Sequence, residues 1–178
     1  MADFKVLEAA AKAAGFQEAR HFDPAGLTFL PAVRDMCAEN RCGSYGKNWS
    51  CPPGCGSLEE SVQKAAAFDH GVLVQTVATL EDEFDYETME SAAEEHRANF
   101  TRFCDLLARE GFPIFPMGIG ACTRCESCTY PDAPCRFPEK MIPSMEARGL
   151  LVSDVCKLAG APYYYGKGTL SYTSCVLY

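Results

Sequence analysis

The sequence has one tryptophan and three histidines, and no uncharged apolar run approaches the ~18 residues that cross a bilayer. No membrane association is therefore expected. Positive charge is also scarce: 16 Lys and Arg stand against 24 Asp and Glu, a formal charge of -8. Such a chain is a poor match for a phosphate backbone, so no nucleic-acid partner is expected. The start, Met1-Ala2-Asp3-Phe4-Lys5, shows no basic segment followed by an apolar stretch. No secretory leader is expected, and the location expected is cytoplasmic. Nucleotide fingerprints are missing too. Gly118-Ile119-Gly120 is not followed by a third glycine, and Gly166-Lys167-Gly168-Thr169 lacks the Ser or Thr that must directly follow the Lys of a phosphate loop. There is no C-x3-C-x2-C triplet of the radical S-adenosylmethionine kind, and no internal repeat.

What the sequence has is cysteine. Eleven are present, and eight fall into two groups: Cys37, Cys42, Cys51, Cys55 and Cys122, Cys125, Cys128, Cys135. An odd total without an export signal argues against a disulfide framework and for metal ligands. The 178 residues, 48% hydrophobic and 22% charged, describe one soluble domain spanning 1–178 with its own core.

Strand-like and helix-like segments alternate. A helix is expected over residues 3–14, with Asp3 as its cap and Gly15 as its stop. Ala25 to Val33 reads as a weak strand interrupted by Pro31. Ser57 opens a helix, with Glu60 completing a capping box. Val72 to Leu80 is a β-branched strand. The acidic turn Glu81 to Asp85 leads into a helix reaching about Glu110, with Met89, Ala93, His96, Phe100, Phe103 and Leu107 on one face. Phe112 to Ile119 reads as a third strand, residues 144–148 and 153–159 as helical, and Thr169 to Leu177 as a final strand. The alternation points to an α/β fold: a mostly parallel or mixed sheet flanked by helices, with two cysteine-rich metal-binding loops. Each cysteine group would then follow a strand, placing both sites on the carboxyl edge. Neighbouring strands lie ~4.8 Å apart, so the sites would be roughly 10 to 15 Å from each other.

In the second group, Cys122-x2-Cys125-x2-Cys128 can wrap three corners of an iron–sulfur cube, with Cys135 closing the fourth. Zinc also accepts four thiolates, but its usual pattern is two separated pairs. The first group, Cys37-x4-Cys42-x8-Cys51-Pro52-Pro53-Gly54-Cys55, splits into pairs, so zinc is more credible there. Trp49 and Tyr45 stand near it, with Arg34, Arg41 and Lys47. Arg124, Arg136 and Lys140 flank the second group. Cations near thiolates lower their pKa and offset cluster charge. Cys104, Cys156 and Cys175 stand alone and read as core residues, as does His96.

The segments CAENRCGSYGKNWSCPPGC and CTRCESCTYPDAPC, followed by Pro-Ser-Met-Glu-Ala at 143–147, resemble the "predicted metal-binding protein" family, domain of unknown function 2284, from about residue 30 onward. The resemblance implies that the eight cysteines are metal ligands. The expected function is an iron–sulfur protein holding two [4Fe–4S] clusters and passing electrons to or from a redox partner protein. Two alternatives stay open: an iron–sulfur enzyme acting on a small-molecule substrate at one cluster, and a zinc-stabilised interaction module. The sequence carries no signal for an oligomeric state.

Overall fold

In the computed structural model, which describes residues 4–178, the chain runs through α1 (Phe4–Ala14), β1 (Ala19–Phe22), α2 (Pro31–Ala38), α3 (Leu58–Ala65), β2 (Gly71–Thr79), α4 (Tyr86–Arg109), β3 (Phe115–Met117), α5 (Val152–Leu158) and β4 (Thr169–Leu177). Asp3, the expected cap of α1, lies outside the described residues.

The four strands form one sheet in the order β1-β2-β4-β3, and every neighbouring pair is antiparallel. This corrects the mostly parallel or mixed sheet expected from the alternation of elements. β2 and β3 do run in the same direction, joined by α4. The C-terminal strand β4 inserts between them and pairs antiparallel with both, along all nine residues of β2 and all three of β3. Among the described residues, no parallel pair is left within the sheet. The local pattern of strand, helix, strand does not reveal this, because a later segment occupies the gap.

The first expected strand is also corrected. Residues 25–33 form no strand; Pro31 is instead the first residue of α2. Its fixed φ and missing N–H suit the start of a helix, where that N–H would have no partner. The true first strand, Ala-Arg-His-Phe, is a four-residue edge strand beside β2.

Side chains alternate across the sheet. Val72, Val74 and Val176 face one core with Leu7, Phe100, Phe103 and Leu107 of α1 and α4. Leu73, Cys175 and Leu177 face the other, with Met145, Leu150, Val155 and Cys156. Cys104, Cys156 and Cys175 are therefore buried core residues. α3 carries its full capping box, Ser57 Oγ accepting from Glu60 N (3.1 Å) and Glu60 Oε2 from Ser57 N (2.8 Å). α4 is capped by Asp85, whose carboxylate accepts from Thr88 N and Glu81 N at 3.1 Å each. These bonds hold its pKa below the usual carboxylate range. A capping role thus accounts for its acidity.

His96, on the buried face of α4, is fully enclosed. Its Nδ1 lies 2.9 Å from Thr76 Oγ1 and its Nε2 lies 2.7 Å from Ser174 Oγ. Burial, helped by Arg97, pushes its pKa down from 6.5 to about 3. Between these values the unfolded chain binds a proton that the folded chain refuses. Stability should therefore fall as pH falls, by up to about 1.4 kcal/mol per pH unit. Urea unfolding of the wild type and His96→Gln from pH 7 to pH 4 checks this. The gap between them should narrow with acidification, and a constant gap would contradict the assignment.

Candidate metal centre

The two cysteine groups meet at a single hub, residues 142–150. On one side, Gly118 forms a parallel bridge with Ser144: its N–H donates to the Pro143 carbonyl (2.8 Å) and its carbonyl accepts from Met145 N (3.3 Å). Gly118 directly follows β3 and opens the loop carrying the second group. On the other side, Leu30 N donates to the Gly149 carbonyl (2.7 Å), at the entry to α2. Gly149 has φ 87°, a left-handed conformation that favours glycine.

Cys37 sits in the last turn of α2, so the first group follows a helix rather than the strand expected before it. The chain then reverses twice. Tyr45 N donates to Asn40 Oδ1 (3.0 Å), and Gly46 N to the Pro52 carbonyl (2.8 Å). These turns bring Cys37, Cys42 and Cys51 to one cavity of about 480 Å³, lined also by Met36, Pro52, Ala121, Ala147 and Leu151. Burial raises the Cys37 thiol pKa, and Glu146, Cys42 and Cys51 raise it further. Burial likewise raises Cys51; hydrogen bonds from Asn48 and Ser50 oppose the rise, and Cys42 and Cys55 add to it. Cys37, Cys42 and Cys51 would thus repel one another as thiolates, and Cys51 would also be repelled by Cys55. A cation entering among them would displace their protons.

Cys55 lies deeper, 5% exposed. Its Sγ is 3.6 Å from the Ala147 carbonyl and 3.6 Å from Arg34 Nη1. Arg34 also donates to the Ala147 (2.6 Å) and Gly56 (2.8 Å) carbonyls. Arg148 donates to the Cys55 carbonyl (3.0 Å) and lies over the Phe115 ring at 4.9 Å.

The second group occupies one loop. Arg124 ties it to α4 through Asp105 (2.8 Å), and Arg136 closes it by donating to the Ser127 carbonyl (2.7 Å). Cys122, Cys125 and Cys135 are half-buried, and Cys128 is exposed. The loop is docked directly on the first. Cys122 N donates to Ser50 Oγ (2.8 Å), whose own hydroxyl donates to Asn48 Oδ1 (2.7 Å). Trp49 N lies 3.5 Å from Cys128 Sγ, and its indole N–H donates to the Ala133 carbonyl (3.0 Å). Trp49 and Tyr130 meet edge to face at 4.9 Å. Gly54 permits this approach: a Cβ there would lie 2.8 Å from the Asn48 carbonyl and 3.0 Å from Tyr130.

Among the described residues, no three His, Cys, Asp or Glu side chains form a ready ion site. The chemistry of the surroundings nonetheless suits a thiolate-bound group. Arg148 is 4% exposed, and its Nε is a buried donor without a hydrogen-bond partner. Among the described residues, no carboxylate lies within ion-pair distance of it. A buried cation without a counter-ion is costly. Burial lowers its pKa, and Cys55 is the group whose charge opposes this most. An anionic metal centre at Cys55 would supply the missing charge. The sequence pattern could not show the roles of Ser50 and Arg148, though Arg148 directly follows the quoted Pro-Ser-Met-Glu-Ala segment.

A family model described as "Predicted metal-binding protein (DUF2284)" matches residues 20–178. No curated protein and no solved structure matches the chain.

Ser50→Ala would leave Cys122 N–H and Asn48 Oδ1 without their shared partner. We expect a loss of about 1–2 kcal/mol in urea unfolding. A change below about 0.5 kcal/mol would show that this bond does not hold the loops together.

Proposed function

Because the chain belongs to the family described as predicted metal-binding protein (DUF2284), we propose that it is an iron–sulfur protein with two adjacent [4Fe–4S] centres that exchanges electrons with a redox partner. Cys37, Cys42, Cys51 and Cys55 would hold the first centre. Cys122, Cys125, Cys128 and Cys135 would hold the second. Bound there, each group takes up and gives back single electrons.

The observation that carries this reading is the direct docking of the two cysteine-bearing loops, Cys122 N bonding to Ser50 Oγ and Cys128 Sγ lying against Trp49 N. Two unrelated structural ions would not need such contact. The C-x2-C-x2-C triplet supports iron–sulfur chemistry, since three thiolates so close suit separate corners of a cube better than one tetrahedral ion. The exposed Cys128 edge gives a partner access.

The cavity supports a second reading, an enzyme acting on a small molecule at the first centre. Its open volume of about 480 Å³ beside Cys37 and Cys42 is walled by Val33, Met36, Ala147 and Leu151, which suits a small, largely apolar substrate.

Anaerobically purified protein should be brown and contain roughly eight irons and eight sulfides per chain. Cys125→Ser should remove about half of the iron and lower stability, because bound metal contributes folding free energy. Zinc without labile sulfide would overturn both redox readings in favour of a zinc-stabilised module. Unchanged iron in Cys125→Ser would overturn the second ligand set.

A further inference from the structure

Two arginines from separate elements converge on Cys55. Arg34 projects from α2 and places Nη1 3.6 Å from the sulfur. Arg148 reaches the Cys55 carbonyl from the hub, at 3.0 Å. Among the described residues, neither lies within ion-pair distance of a carboxylate. Glu60, the acidic group whose charge bears on Arg148, is engaged in the capping box of α3. The cations of the second group are placed differently. Arg124 is paired with Asp105, and Arg136 is exposed to solvent.

We propose that Arg34 and Arg148 are the counter-charges of the first metal centre and hold its reduction potential above the value it would have without them. This rests on the iron–sulfur reading given above. Adding one electron to a thiolate-bound centre adds one negative charge. A guanidinium shielded from water stabilises that charge more than a solvated one does. The N–H of Arg34 directed at Cys55 Sγ acts in the same sense, because hydrogen bonds to ligand sulfur stabilise the reduced state. The effect is confined to the first centre, since both arginines surround Cys55 and neither touches the second loop in any described hydrogen bond.

The test is a redox titration of the whole protein with viologen mediators, followed by EPR, on wild type, Arg34→Gln, Arg34→Lys and Arg148→Gln. In each step the mediator is oxidised by one electron and the centre reduced by one. Iron and sulfide are measured on every sample. Arg34→Gln should keep its iron and lower one midpoint by at least about tenfold in the reduction equilibrium, about 59 mV for one electron. The other midpoint should not move, Arg34→Lys should recover most of the shift, and Arg148→Gln should shift the same midpoint in the same direction. Arg34→Gln with full iron and both midpoints unmoved overturns this inference alone. Zinc without sulfide in the wild type overturns the reading beneath it, and this inference with it.

Discussion

The candidate site depends on one short stretch of irregular chain, residues 142–150. Its backbone bonds to Gly118 at the end of β3 and to Leu30 at the start of α2, so both cysteine loops leave from the same anchor. Its buried side chains Met145 and Leu150 join the core on one face of the sheet. Ala147 offers its carbonyl to Arg34 and to the Cys55 thiol. Loops with so little regular structure hold a fixed shape only where tertiary contacts satisfy their backbone groups. Here those contacts come from the hub and from the other loop.

The second organising constraint is charge. A chain of formal charge -8 sets two guanidinium groups beside a cysteine, Arg148 buried and Arg34 half-buried. One of them, Arg148, has an unpartnered donor. In a protein without a bound group that arrangement has a cost and no visible return. With an anionic centre at Cys55 the same residues become its compensation. The raised pKa values of Cys37 and Cys51 express the complementary half: burial first, and neighbouring thiols after it, keep these groups protonated.

Elements set by local chemistry could be read from the sequence. The capping box at Ser57, the β-branched run of β2, the apolar stripe of α4 and the final strand all agree with the structure within a residue or two. Strand order could not be read, because insertion of β4 between β2 and β3 is a long-range choice. Pro31 misled for a local reason: it suits a helix start as well as a strand interruption. For the site, the spacing of the eight cysteines was visible, and so was Trp49. Ser50 was not, because one hydroxyl bridging two loops leaves no periodicity. Arg148 was not, because only packing distinguishes a buried arginine from a surface one.

The proposed account places two redox centres in adjoining loops, joined through Ser50 and Trp49. The most direct measurement is the EPR spectrum of the protein carrying one added electron in each centre. The account predicts lines broadened and split by the magnetic interaction of neighbouring spins, integrating to about two spins per chain. Two unperturbed signals that simply add, or no iron signal at all, would contradict it.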